Sequence, residues 1–420
     1  MTHNFDLERF IREKVTRRAQ SLLAEDYARH DGELHVQADG RRVLVIGGAG
    51  SIGSHYVKAL LRFDVAKLVV VDINENGLTE LVRDLRSTGS LRIPADFVTY
   101  PVNIGDPVFE KLFFAHGPFD VVANFAAHKH VRSEKDVFSI EAMIENNVLR
   151  ARKLLDLLAQ RPPQHFFCVS TDKAANPVNI MGASKKLMEE LILAYADRLS
   201  IKTARFANVA FSNGSLPQGW LTRLAKRQPW SCPLGIRRFF VSPAESGELC
   251  LMASLLGKSG DILFPKLDPV ADMLSFDQMA RDLLAALGME ALTCKTEAEA
   301  HEQMAKILSA LQATVDFGKD KPQPPSHWPV YFFESATSGE KPYEEFYTPG
   351  EDLDLARFAN LGVIQNAKRR TVGELDAIFG DLRRLFASAD VTKAQVVAVL
   401  KDYLPNFAHI ETGRGLDQQM

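Results

Sequence analysis

The stretch Gly47-Gly48-Ala49-Gly50-Ser51-Ile52-Gly53 constrains the fold of this chain more than any other segment. It follows Arg41-Arg42-Val43-Leu44-Val45-Ile46 and precedes a helical pattern, so a three-glycine turn falls between a strand and a helix. At Gly47, Gly50 and Gly53 side chains must be absent for the backbone to turn tightly, approach a pyrophosphate and pack the helix on the strand. The N–H groups of the first helical turn then face the phosphates. Asp72 ends the next strand, where a carboxylate can bind a ribose 2′-hydroxyl and would repel a 2′-phosphate. The loop predicts a dinucleotide site formed by Gly47, Gly50, Ser51, Ile52, Gly53 and Asp72, with NAD favoured over NADP. The alternative is a glycine-rich structural turn that binds nothing.

Short β-branched runs at 43–46, 68–71, 97–102, 121–125, 166–170 and 202–206 alternate with helical patterns. That alternation predicts an α/β chain with a Rossmann-type doubly wound parallel sheet. Ahead of it, Leu7, Phe10, Ile11, Val15, Leu22 and Leu23 recur at roughly helical spacing, which predicts an amphipathic helix from 5 to about 29. Beyond 208, Pro217, Pro229, Pro233 and Pro243 punctuate short elements, and a strand at 262–264 with a helix at 276–287 reads as a smaller lobe. A charged helical stretch at 295–313 and the breakers Pro322, Pro324 and Pro325 read as an insertion near 289–329. The chain returns through 330–334 and ends in helical segments over 372–404 with a polar tail. The expected division is a helical extension over 1–40, an NAD-binding Rossmann domain over 41–207, a substrate-binding lobe over 208–371 with parts returning to the sheet, and a helical extension over 372–420.

Fifty basic against fifty-three acidic side chains give a net charge of -3, and the short basic clusters read as solvated surface, so no nucleic-acid partner is expected. Cys168, Cys232, Cys250 and Cys294 lack metal-ligand spacing and follow no signal peptide, which predicts a cytoplasmic chain with free thiols. No apolar run approaches the ~18 residues of a membrane span, so no membrane insertion is expected. His128 and His130 lack carboxylate or cysteine partners, and no metal is expected there.

Further motifs follow in order: Ala126-Ala127-His128-Lys129-His130-Val131 after the fourth strand, Glu145-Asn146-Asn147-Val148 in the next helix, and Ser170-Thr171-Asp172-Lys173-Ala174-Ala175-Asn176-Pro177 after the fifth strand. Met181-Gly182-Ala183-Ser184-Lys185 and Arg205-Phe206-Ala207-Asn208-Val209 come next. In this order and spacing the chain resembles an extended short-chain dehydrogenase/reductase of the bacterial polysaccharide-biosynthesis group, the UDP-N-acetylhexosamine 4,6-dehydratases. The likeness runs from about 41 to 288, with a fainter return at Gly339-Glu340-Lys341-Pro342-Tyr343-Glu344-Glu345.

The resemblance implies oxidation of the sugar at C4 by NAD, loss of water across C5 and C6, and return of the hydride to C6. It makes Lys173 the base at C5 and Asp172 the acid, with Thr171 bonded to the sugar. Lys173 then needs burial or a neighbouring cation, Lys185 or the nicotinamide, to lower its pKa. Met181 stands where the wider superfamily carries a proton-transferring tyrosine, as in a methionine-containing subset of the group, and Lys185 keeps a role at the nicotinamide ribose. Asn103, Ile104 and Ala126 complete the implied cofactor site, and Asn147 bridges the active-site strands. Lys129, Asn208, Ser215, Arg238 and Glu340 are the implied substrate contacts, and a homo-oligomer, dimer or larger, is implied. Read alone, Asp172-Lys173 is also compatible with a surface ion pair, Met181 with core packing and Arg238 with a surface arginine.

The pattern departs from the group at Asn103, where an aspartate is usual, at Arg132-Ser133-Glu134-Lys135, and at Thr337-Ser338-Gly339-Glu340-Lys341, which lacks the usual leading arginine. These changes bear on the substrate more than on the cofactor. Two alternatives stay open: a nucleotide-sugar epimerase or oxidoreductase, and a catalytically silent NAD-binding subunit of a glycan assembly complex.

Overall fold

Alternating β-branched strands and amphipathic helices build a doubly wound α/β sheet in the computed structural model, which describes residues 5–129, 134–316, 325–334 and 343–411. The chain opens with α1 (Leu7–Phe10), a π-helical turn at Ile11–Val15, and α2 (Ala24–Ala38). The sheet then begins with β1 (Arg42–Ile46), α3 (Ser51–Leu60), β2 (Lys67–Asp72), α4 (Glu75–Ser87), β3 (Asp96–Pro101) and α5 (Pro107–His116). β4 (Val121–Asn124), α6 (Val137–Ile144), α7 (Arg150–Gln160), β5 (His165–Val169), α8 (Ile180–Ala194) and β6 (Ile201–Ala204) carry it in the opposite direction.

Nearly every side chain of β1, β2, β4, β5 and β6 is buried, as a sheet covered on both faces requires. β1 lies between β2 and β4, both parallel to it, so the strand order reverses there. A crevice opens at the carboxyl ends of strands at such a reversal.

The second half begins with β7 (Asn208–Val209), α9 (Leu216–Ala225), β8 (Trp230–Leu234), β9 (Arg237–Val241), α10 (Pro243–Leu256) and β10 (Asp261–Pro265). β11 (Met273–Ser275), α11 (Phe276–Ala286), β12 (Glu290–Cys294), α12 (Glu297–Asp316) and β13 (His327–Glu334) follow. β14 (Asp352–Asp354), β15 (Leu361–Gln365), α13 (Val372–Phe386) and α14 (Lys393–Tyr403) complete the chain's regular elements. β10 pairs parallel with β6, and β15 and β14 add antiparallel at that edge, giving nine strands in the order β14-β15-β10-β6-β5-β4-β1-β2-β3. Two three-stranded sheets, β11-β9-β7 and β12-β13-β8, form the remainder.

Two local expectations differ from the structure. The helix expected over 5–29 is broken: Arg17 adopts φ 55°, and the helical path resumes only at Ala24. The Arg18 guanidinium reaches Glu245 at 2.8 Å and the Phe240 carbonyl at 3.0 Å, contacts that pull the chain out of a continuous helix. The segment read as an insertion supplies β12, α12 and β13, and β13 lies parallel between β12 and β8. Its apolar residues Trp328, Val330 and Met304 pack with Trp220 and Trp230 in the core of the smaller lobe.

Candidate active site

The glycine loop sits at the strand-order reversal. Gly47 has φ +75°, and a Cβ there would lie 2.6 Å from the Ala126 nitrogen. A Cβ on Gly53 would lie 2.2 Å from the Gly47 carbonyl oxygen. Both glycines are therefore required by the protein's own backbone. Gly50 differs: its Cβ would meet only the Gly47 oxygen at 3.4 Å, ordinary contact, so the fold does not demand a glycine there. As N-cap of α3, Gly50 also offers no side chain to the helix's first N–H groups. An uncapped helix start beside an uncrowded glycine suits an incoming phosphate.

A cavity of about 220 Å3 opens there, lined by Gly47, Gly50, Asp72, Asn103, Ile104 and Ala126 among others. The Asp72 carboxylate is held by the N–H groups of Ala49 and Asn74, each at 2.9 Å. Asn103 lies at the wall with its Oδ1 accepting from Gly105 N–H at 2.8 Å. Ser51, Ile52 and Gly53 lie behind the lining; the Ser51 hydroxyl accepts the Asn213 N–H at 2.8 Å. Asn213 itself lines the cavity, two residues before Ser215, so this loop forms part of the dinucleotide crevice wall. A larger cavity of about 790 Å3 lies between the N-terminal extension and α10 and touches neither the glycine loop nor Lys173.

Thr171, Asp172 and Lys173 follow β5 directly, at the same carboxyl edge. The Asp172 Oδ1 accepts the Thr171 hydroxyl at 2.8 Å, the Lys173 N–H at 2.9 Å and the Lys173 ammonium at 3.1 Å. Glu344 lies 3.8 Å from the same ammonium and is 4% exposed. Burial by itself pulls the Lys173 pKa down, but the carboxylates of Asp172 and Glu344 outweigh burial and the opposing Arg238, and the result is a raised value. The expected lowering of Lys173 by burial or by Lys185 is thus not observed. Lys185 is buried with its ammonium 2.7 Å from the Val169 carbonyl, and burial lowers its pKa. It does not line the glycine-loop cavity.

Met181 is 3% exposed and packs in the central core, while its N–H donates to Glu134 Oε1 at 3.0 Å. Asn147 donates to the His128 carbonyl at 2.9 Å and to the Ser184 hydroxyl at 3.0 Å, and accepts the His128 N–H at 2.8 Å. It clamps the loop after β4 to α8, a loop-to-helix tie where a bridge between strands was expected. Of the implied substrate contacts, Arg238 is buried and within electrostatic reach of Lys173, which removes the surface-arginine alternative. Asn208 is half-buried in β7, Lys129 is exposed after β4, and the Ser215 hydroxyl caps α9 through Gln218 N–H at 3.4 Å. Glu340 and His130 lie outside the described residues.

Sequence reasoning missed Glu344 as a neighbour of Lys173 and Asn213 as a cavity wall. The first was quoted within a motif without a role, and only the tertiary fold brings it to Lys173. Among the described residues no cluster of His, Cys, Asp and Glu is arranged to hold a metal, and no helix is long and apolar enough to cross a membrane.

A family model described as polysaccharide biosynthesis protein matches residues 43–304. An uncharacterized membrane protein of Methanocaldococcus jannaschii is 33% identical over 237 residues, 55% of this chain and 68% of that protein. The capsular polysaccharide biosynthesis protein CapD of Staphylococcus aureus is 28% identical over 53% of this chain but only 37% of its own length, so the likeness leaves most of that relative unmatched. Among solved structures, Pen from Bacillus thuringiensis shares the fold with a TM-score of 0.60 at 19% identity, over 80% of this chain and 90% of Pen.

Proposed function

This chain belongs to the polysaccharide biosynthesis protein family, related to the extended short-chain dehydrogenase/reductase enzymes that process nucleotide sugars, and from that premise we propose that it is an NAD-dependent nucleotide-sugar 4,6-dehydratase. The substrate class is UDP-N-acetylglucosamine or a related UDP-sugar, the product a 4-keto-6-deoxy sugar for surface glycan synthesis. One observation carries the reading: the Thr171-Asp172-Lys173 cluster stands at the carboxyl edge of the sheet that also holds the glycine-loop cavity.

The residues fit NAD in the glycine loop, with Gly50 open to a pyrophosphate and Asp72 held for a ribose hydroxyl. Held by Gly50 and Asp72, NAD would supply hydride-acceptor chemistry for C4 and hydride-donor chemistry for C6. The chain's own groups handle the protons. Met181 cannot transfer one, so the C4 hydroxyl proton passes to Asp172, which leaves Lys173 free as the base and arms Asp172 as the acid. With a ketone at C4 the C5 hydrogen is acidic; Lys173 removes it and Asp172 protonates the departing C6 oxygen. Arg238 sits where it can hold the substrate's negative charge near Lys173.

Incubation of the protein with UDP-N-acetylglucosamine in deuterated water tests this. A 4-keto-6-deoxy product with deuterium at C5, lost in Lys173→Ala, is the expected outcome. A product that keeps its C6 hydroxyl but inverts C4 makes the protein an epimerase. Unchanged sugar across a panel of UDP-sugars, with NAD bound, overturns the enzyme reading in favour of a binding subunit.

A further inference from the structure

The surroundings of Lys173 contain a carboxylate that the chemistry above leaves unused. Glu344 arrives from a segment far along the chain, yet its position is fixed from both sides. The buried Arg205 guanidinium donates to the Phe346 carbonyl at 2.9 Å and to both Glu351 oxygens at 2.9 and 3.0 Å. It also donates to both Glu189 oxygens at 2.9 and 3.0 Å, and Glu189 accepts the Ser170 hydroxyl at 2.6 Å. Asn176 donates to Glu345 at 2.9 Å. The Ser170 side chain, two residues before Asp172, and the Phe346 carbonyl, two residues after Glu344, are thereby linked to one guanidinium, and the two carboxylates reach the same ammonium at 3.1 and 3.8 Å.

We propose that Glu344 is a positioning residue for the proton on Lys173: with Asp172 it holds the lysine as an ammonium in the resting site, until a bound sugar nucleotide displaces one of the two carboxylates. The inference rests on the dehydratase reading only in making Lys173 the base at C5. Among the described residues, the charged groups that face Lys173 are Asp172 beside it, Glu344 from the 343–351 segment and Arg238 from β9. Two anions against one cation favour the ammonium, in keeping with the raised pKa of this lysine despite burial. A buried carboxylate costs desolvation unless a cation pairs with it, and Lys173 is such a cation 3.8 Å from Glu344. A base that stays protonated until substrate arrives protects the oxidised site from idle proton exchange.

The test needs no sugar. The full chain, with Glu344→Gln and Glu344→Asp, is trace-labelled with acetic anhydride across a pH series, and Lys173 acetylation is read by peptide mass spectrometry. Glu344→Gln should move the Lys173 midpoint down by about one pH unit or more. Glu344→Asp, which keeps the charge on a shorter arm and preserves the fold most closely, should move it down by less. The exposed Lys306 serves as the unmoved control. A Lys173 midpoint unchanged in both variants overturns the proposal. In turnover of UDP-N-acetylglucosamine, the acid limb of the kcat/KM profile, which reports the free enzyme, should shift to lower pH by the same amount, whereas a merely structural Glu344 lowers kcat/KM without moving the limb. If no variant yields a keto sugar, the dehydratase reading fails, and the labelling shift still decides the role of Glu344.

Discussion

Gly47, Gly50 and Gly53 share one loop for different physical reasons, and substitutions should separate them. Gly53→Ala drives a methyl into the Gly47 carbonyl at 2.2 Å, so a large loss of stability is expected by urea unfolding. Gly50→Ala meets only a 3.4 Å contact and should leave the melting temperature close to wild type while weakening NAD binding at least tenfold, measured by calorimetry. Lys202 makes a second test at this scale. It is 1% exposed, with its ammonium at 2.8 Å from His165 Nδ1 and 2.7 Å from the Ser200 hydroxyl, and burial pulls its pKa down to about 8. An unfolded lysine titrates near ~10.4, so between these values the unfolded chain binds a proton that the folded chain does not, and stability rises with pH. The rise from pH 8 to 10 should be about 2 kcal/mol relative to Lys202→Met, read from urea midpoints at the two pH values. The placement of the loop glycines, Asp172 and Lys173 at the carboxyl ends of strands was legible in the sequence because neighbours along the chain define it. Glu344 was not, because its partnership with Lys173 exists only after the 343–351 segment folds back onto Arg205.

Strands and helices follow the same division between local and distant causes. The strands of the parallel sheet were legible to within a residue or two, since continuous burial leaves β-branched runs that a sequence displays directly. The N-terminal helix was misread because its break depends on partners in β9 and α10, and its true second half, α2, is secured from afar. The fully buried Asp26 on α2 accepts the N–H groups of Ala359 and Asn360, at 2.5 and 2.8 Å. Asp26→Ala takes the acceptor from two half-buried donors, and a cost of about 2 kcal/mol is expected. Differential hydrogen exchange should show new opening at both 24–38 and 359–360, whereas a purely local helix effect would leave the second region protected.

Across the whole molecule, Arg205 joins the first half of the chain to the second through Glu189 and Glu351. Removing one member of such a buried cluster strands the others, so Arg205→Met should cost about 4 kcal/mol in equilibrium unfolding. A cost below about 1 kcal/mol would mean that the surrounding packing, not the ion cluster, holds the halves together. Sheet order was legible in outline from the run of βαβ units, but the return of β14 and β15 to its edge was only allowed for, since antiparallel addition leaves no local mark in three to five residues. That return has a consequence for how the chain can change over generations. The path leaves the large sheet at Pro265 and rejoins it at Asp352, so everything between is a detour anchored at both ends. The entropy of closing a detour grows only logarithmically, about 0.6 kcal/mol for each doubling. Descendants can therefore lengthen or trim the connections within that detour, outside the packed β12-β13-β8 sheet, while the glycine-loop edge of the large sheet is inherited intact.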